Sequence, residues 1–196
     1  MHNPYNNKEH LDAMPRSYLR RLNRETYRGE TFIHWSMTIE NRATGWLTPA
    51  FHIACREVLT HTLFRYQLAC PVYCLLPDHL HLLWAGYASN SDQLHAVAFF
   101  RKHMNRLLAP RCLQQQGYDH ILRADEREEG TFEKAAAYVI ENPVRASLIR
   151  EALQYPFTGC VVPGYPELTL DLPDYWKRFW RGYYYLRTRA RGQSPA

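Results

Sequence analysis

The chain has 196 residues, 46% of them hydrophobic, and a formal net charge of +5. That length suits one sizeable core rather than two domains. No run approaches the roughly 20 apolar residues of a membrane span, and the start MHNPYNNKEHLD lacks a signal peptide's basic and apolar stretches, so a cytoplasmic protein is expected. Cys55, Cys70, Cys74, Cys112 and Cys160 are an odd number of scattered cysteines, which argues against a disulfide framework and fits a reducing compartment.

Charge is uneven. Arg16, Arg20, Arg21, Arg24 and Arg28 face one acid, Glu25, while Lys177, Arg178, Arg181, Arg187, Arg189 and Arg191 follow Asp174 with no acid among them. Such ends serve either as grips on a phosphate backbone or as solvated tails.

In chain order, Ile33, Trp35, Met37 and Ile39 alternate with polar residues and predict a strand with one buried face. Phe51, Cys55, Val58, Leu59, Leu63 and Phe64 recur at helical spacing from about Pro49 to Arg65. Tyr66 to Pro77, interrupted by Pro71, and Asp78 to Tyr87 predict a hairpin turning at Pro77 and Asp78. Ser89 to Asp92 supply helix caps, and the helix they open stops at Pro110. After GYDHILR and the acidic loop ADEREEG comes a helix from Thr131 until Asn142 meets Pro143, with a further short one in VRASLI. YPFTGCVVPGYPEL is loop-like, and Trp176, Phe179, Trp180 and Tyr183 then mark a terminal helix whose aromatic stripe suits core packing better than base stacking. The order predicts an α+β fold, a small antiparallel sheet covered by helices on one face.

The sharpest motif is PDHLHLLW, Pro77 to Trp84. On a strand, His79 and His81 share one face while Leu80 turns into the core, so the two imidazoles stand side by side as a metal chelate would need. An ordinary pair of surface histidines has the same spacing.

PDHLHLL, YDHILR and YVIENPVRASLI, in this order, resemble the single-tyrosine HUH (IS200-like) transposases, and above all the REP-associated tyrosine transposases of bacteria. In that family a histidine-hydrophobe-histidine strand is followed by a helix bearing one tyrosine, and an Asn-Pro-Val-Arg segment closes the domain. The resemblance covers about Thr31 to Arg150. It implies a ferredoxin-like or RRM-like antiparallel sheet covered by helices, with a C-terminal helical extension. Residues 1–30 then form a basic N-terminal segment, 31–150 the catalytic domain, and 151–196 a loop and an aromatic, basic helix packed on it.

The implied activity is DNA nicking and strand transfer on single-stranded or hairpin DNA, with a divalent ion, Mg2+ or Mn2+, and a nucleoid-associated setting. Carried over onto this chain, His79 and His81 are the metal pair and Tyr118, before Asp119 and His120, is the nucleophile. A tyrosine hydroxyl with an ordinary pKa near 10 is only about 0.1% ionised at neutral pH, so its attack needs a metal-activated phosphate. His120 or Asp119 is a candidate third ligand. Related enzymes place that ligand one helical turn after the tyrosine, which here is Leu122. Asn142 and Arg145 match the Asn-Pro-Val-Arg segment, where Asn142 is expected to cap the next helix and Arg145 to brace the tyrosine helix or touch phosphate. Arg101, Lys102 and Arg106 are candidates to line a DNA groove. A monomer is expected, the C-terminal helix covering a surface that a dimer would otherwise bury. Two rivals remain: a zinc site from Cys70, Cys74, His79 and His81, and a non-catalytic protein that binds hairpin DNA or structured RNA.

Overall fold

The computed structural model describes residues 22–122 and 130–192. Arg16, Arg20, Arg21 and most of the acidic loop lie outside them. The described residues form a five-stranded antiparallel sheet in the order β4-β1-β3-β2-β5. Its strands are β1 (Phe32–Thr38), β2 (Leu68–Leu75), β3 (His79–Gly86), β4 (Tyr118–Ile121) and β5 (Thr158–Val161). Helix α1 (Pro49–Tyr66) joins β1 to β2, and α2 (Gln93–Leu108) joins β3 to β4. This is the ferredoxin-like arrangement expected, with β5 added beside β2.

Local signals explain the boundaries. Thr48 caps α1 by accepting from the Phe51 amide, Pro49 opens its first turn, and Gln67 in the left-handed region ends it. Asp92 caps α2 through the His95 amide. Pro71 lies inside β2, a strand with neighbours on both sides, where its missing N–H would break a regular ladder. The strand absorbs it as a bulge: Ala69 pairs with Ala85 and Val72 with Leu83, so one extra residue is fitted between.

Both faces of the sheet are covered, not one. Ile33, Trp35, Met37, Leu80, Leu82 and Trp84 pack under α1 and α2. On the other face Phe32, Val72, Leu83 and Ala85 meet Phe132, Ala136 and Val139 of α3 (Thr131–Ile140) and Phe179, Trp180 and Tyr183 of α5 (Tyr175–Ala190). The aromatic stripe of α5 is thus core packing. The stretch read from sequence as a loop contains β5, because Thr158 and Gly159 pair with Cys74 and Tyr73 despite the surrounding prolines. Among the described residues no helix is long and apolar enough to cross a membrane.

Candidate active site

The second face is apolar over most of its area and polar where β1, β3 and β4 run side by side. The register sets Thr38 opposite His79, Ser36 opposite His81 and also Tyr118, and His34 opposite His120. Directly paired residues share a face, so His34, His79, His81, Tyr118 and His120 all belong to this one. The two motif histidines have ring centroids 5.0 Å apart, and Leu80 between them is buried in the other core, as the spacing predicts.

Each imidazole has a partner at Nδ1. His79 Nδ1 lies 2.6 Å from Asp78 Oδ1, and Asp78 in turn accepts from Arg42 at 2.7 Å. Burial raises the Asp78 carboxyl, but hydrogen bonds from His79 and Arg42 prevail and hold it below its ordinary value. His81 Nδ1 lies 3.0 Å from His34 Nε2. Burial pushes His81 down to about 3, with His34, His79 and Arg145 adding to it, and pushes His34 down to about 4, with His120 adding. Both rings are therefore neutral imidazoles at neutral pH, the form that ligates metal.

A tyrosine completes the cluster from the helix side. Tyr138, on α3, stands edge-on to His34 with centroids 6.3 Å apart and is 54% exposed. Arg145, in the short helix α4 (Asn142–Arg145), lies with Cζ 4.0 Å from the centre of the Tyr138 ring and donates to the Tyr138 carbonyl. Asn142 Nδ2 donates to the carbonyls of Tyr138 (3.2 Å) and Val139 (3.3 Å). Its side chain therefore closes the end of α3 instead of capping the helix that follows.

Several sequence expectations find different places. Tyr118 and His120 are on strand β4 and not on a helix, both exposed, with Tyr118 two strands from His81. Asp119 turns to the opposite face, where its carboxylate accepts from Tyr27 at 2.5 Å, so it is not a ligand candidate. Leu122 is buried beside Phe32 and Phe132 in the apolar part of the face. Arg101, Lys102 and Arg106 are on α2, behind the sheet, and Arg101 donates to the Gln114 carbonyl. Of the four basic candidates Arg145 alone joins the histidines. The zinc reading fails because Cys70 and Cys74 belong to opposite cores, and burial raises both thiols, Cys74 to about 11.

Sequence reasoning passed over His34 and Tyr138. His34 occupies a polar slot in the alternation of the first strand, and Tyr138 stands four residues before Asn142. Both signals were visible, but only the β1–β3 register and the packing of α3 show that they meet the motif histidines.

No family model matches the chain. A curated protein of Haemophilus influenzae whose name includes the words REP-associated tyrosine transposase is 19% identical over 140 residues, which span 64% of this chain and 77% of that one. A solved REP-associated tyrosine transposase bound to a REP hairpin superposes with a TM-score of 0.61 at 17% identity, covering 87% of this chain and 90% of that chain. In sequence and fold, the chain resembles the REP-associated tyrosine transposases. A bacterial tRNA(His) guanylyltransferase-like protein in complex with GTP overlays at 0.47 with 11% identity, too loosely to carry an argument.

Proposed function

We propose that the chain is a metal-dependent DNA-nicking and strand-transfer enzyme acting on single-stranded or hairpin DNA, with Tyr138 as nucleophile. The observation that carries this reading is the placement of a half-exposed helix tyrosine edge-on to His34, itself hydrogen-bonded to His81 of the His-x-His strand. A helix tyrosine ahead of the Asn-Pro-Val-Arg segment is also what the resemblance calls for, and Tyr138 meets both conditions. Tyr118, the residue matched by sequence motif alone, meets neither.

The donor set fits a divalent ion. With Nδ1 of His79 and of His81 engaged, each ring has Nε2 left to offer, and with Asn142 Nδ2 engaged, that side chain has Oδ1. Asn142 stands one helical turn after Tyr138, the place at which the resemblance puts the third ligand. Among the described residues no three His, Cys, Asp or Glu side chains gather into a metal-holding group. Two imidazoles and an amide oxygen are the set proposed. Such an ion supplies charge withdrawal from a scissile phosphate.

The chain's own groups do the rest. Tyr138 Oη gives up its proton and attacks phosphorus, the bond to the 3′-side oxygen breaks, and that oxygen leaves as a free 3′-hydroxyl, its proton balancing the one the phenol lost. A 5′-phosphotyrosine link results, and because it keeps the energy of the cut bond the reverse reaction rejoins strands. Arg145, stacked on the Tyr138 ring, holds the ring in place and sets a cation beside the developing charge.

The test is a gel assay of labelled single-stranded oligonucleotides drawn from hairpin repeats. Wild type with Mn2+ is expected to give a covalent protein–DNA adduct that EDTA abolishes, Tyr138→Phe to give none, and Tyr118→Phe to retain it. An adduct lost in Tyr118→Phe and kept in Tyr138→Phe would return the nucleophile to β4. Tight hairpin binding without adduct from any protein would favour the non-catalytic reading.

A further inference from the structure

Building on the reading that His79 and His81 offer Nε2 to a divalent ion, we propose that His34 is a positioning residue that fixes the tautomer of His81. His34 Nε2 and His81 Nδ1 are 3.0 Å apart, so one proton lies between them. Two neutral imidazoles can share it in two ways. If His34 donates, His81 carries its own proton on Nε2, and the nitrogen meant for the ion has no lone pair. If His81 donates from Nδ1, its Nε2 is bare and His34 is the acceptor.

His79 shows the same requirement met by other means. The Asp78 carboxylate at its Nδ1 accepts only, which draws the His79 proton to Nδ1 and bares Nε2. His81 has no such carboxylate, and its surroundings explain why. It is buried where His79 is only half-buried, and a carboxylate there would be costly to bury. A neutral acceptor does the same work without a charge. The strand register supplies it: His34 is opposite Leu83, diagonal to His81 across the β1–β3 pair, within reach of an imidazole. On its outer side His34 meets the edge of Tyr138, so α3 helps to hold the ring. His34 therefore touches both halves of the site, the proposed ligand strand and the proposed nucleophile helix.

The test compares wild type, His34→Phe and His34→Gln, the last of which keeps an acceptor oxygen. Imidazole 15N shifts of the metal-free protein near neutral pH are expected to show His81 protonated at Nδ1 in wild type and His34→Gln, and at Nε2 in His34→Phe. Calorimetric titration with Mn2+ is expected to show binding weakened about 10–100-fold in His34→Phe, with most of the loss recovered in His34→Gln. His81 protonated at Nε2 in the wild-type protein would overturn the proposal, as would Mn2+ binding unchanged in His34→Phe. The wild-type spectrum decides the tautomer even if a variant does not fold. Wild type that binds no Mn2+ would instead count against the metal reading on which this inference is built.

Discussion

At the scale of single residues, the buried imidazoles make stability depend on acid in a direction that can be worked out. Burial lowers His34 to about 4 and His81 to about 3, whereas in the unfolded chain both titrate near the ordinary 6.5. Above that value neither state binds the protons and the pair contributes nothing. As pH falls below it, the unfolded chain takes up protons that the folded chain refuses, so stability drops from about 6.5 downward until the folded values are reached. We expect the urea midpoint of the metal-free protein to fall between pH 7.5 and 5, before most carboxylates titrate, and to fall less in His34→Phe. A midpoint that is flat over this range in wild type would contradict the burial of these rings. The same two residues show what sequence could reveal. His79 and His81 were legible because a strand's period of two is local, and so was the inward turn of Leu80. The approach of His34 and Tyr138 to them was not, since it depends on which strand pairs with which and on where α3 lands. Tyr118, in the YDHILR motif, lies on an edge strand, a placement that only the strand pairing gives.

At the scale of elements, Asn142 links the end of α3 to the turn that delivers Arg145. Its amide satisfies two terminal carbonyls, one of them that of Tyr138. Asn142→Ala should lower thermal stability by about 0.5–1.5 kcal/mol. It should also abolish adduct formation at temperatures where the variant is fully folded, because the proposed oxygen ligand is gone. Activity that falls only in step with the folded fraction would leave Asn142 a helix cap and nothing more. The bulge in β2 is the other informative element. It carries Pro71 through an inner strand, and its carbonyl accepts from the Tyr175 hydroxyl at the start of α5, while Tyr183 further along α5 donates to the Gly86 carbonyl at 2.8 Å. Tyr175→Phe and Tyr183→Phe each leave a buried carbonyl without that donor and should cost about 1–3 kcal/mol in urea unfolding, nearly additively because the two bonds share no partner. Pro71 was visible in the sequence as a break. That β2 continues past it, and that β5 forms at all, depended on pairing partners distant in sequence.

At the scale of the whole molecule, the sheet divides its labour unevenly. One face is given wholly to the core under α1 and α2, while the other is shared between an apolar floor and the histidine cluster. The helix that carries Tyr138 is seated on that floor by Phe132, whose ring meets Phe32 edge-on at 5.0 Å and Trp180 at 5.2 Å and stacks on Phe179 at 6.1 Å. The position of the proposed nucleophile thus depends on the aromatic packing of α5, an element that follows the Asn-Pro-Val-Arg segment in the chain. Phe132→Ala removes a fully buried ring and should cost about 3–5 kcal/mol. Tyr138→Phe removes only a hydroxyl from a half-exposed ring and should stay within about 0.5 kcal/mol of wild type. The two variants should both lose the adduct, but for separable reasons. Phe132→Ala protein kept folded at low temperature should still bind Mn2+ through β3, and its residual adduct should rise when a bulkier side chain, as in Phe132→Leu, reseats α3. Tyr138→Phe should bind Mn2+ and hairpin DNA as wild type does and give no adduct at any temperature. If Phe132→Ala forms adduct at the wild-type rate, the seat of α3 does not govern the placement of Tyr138, and α5 serves stability alone.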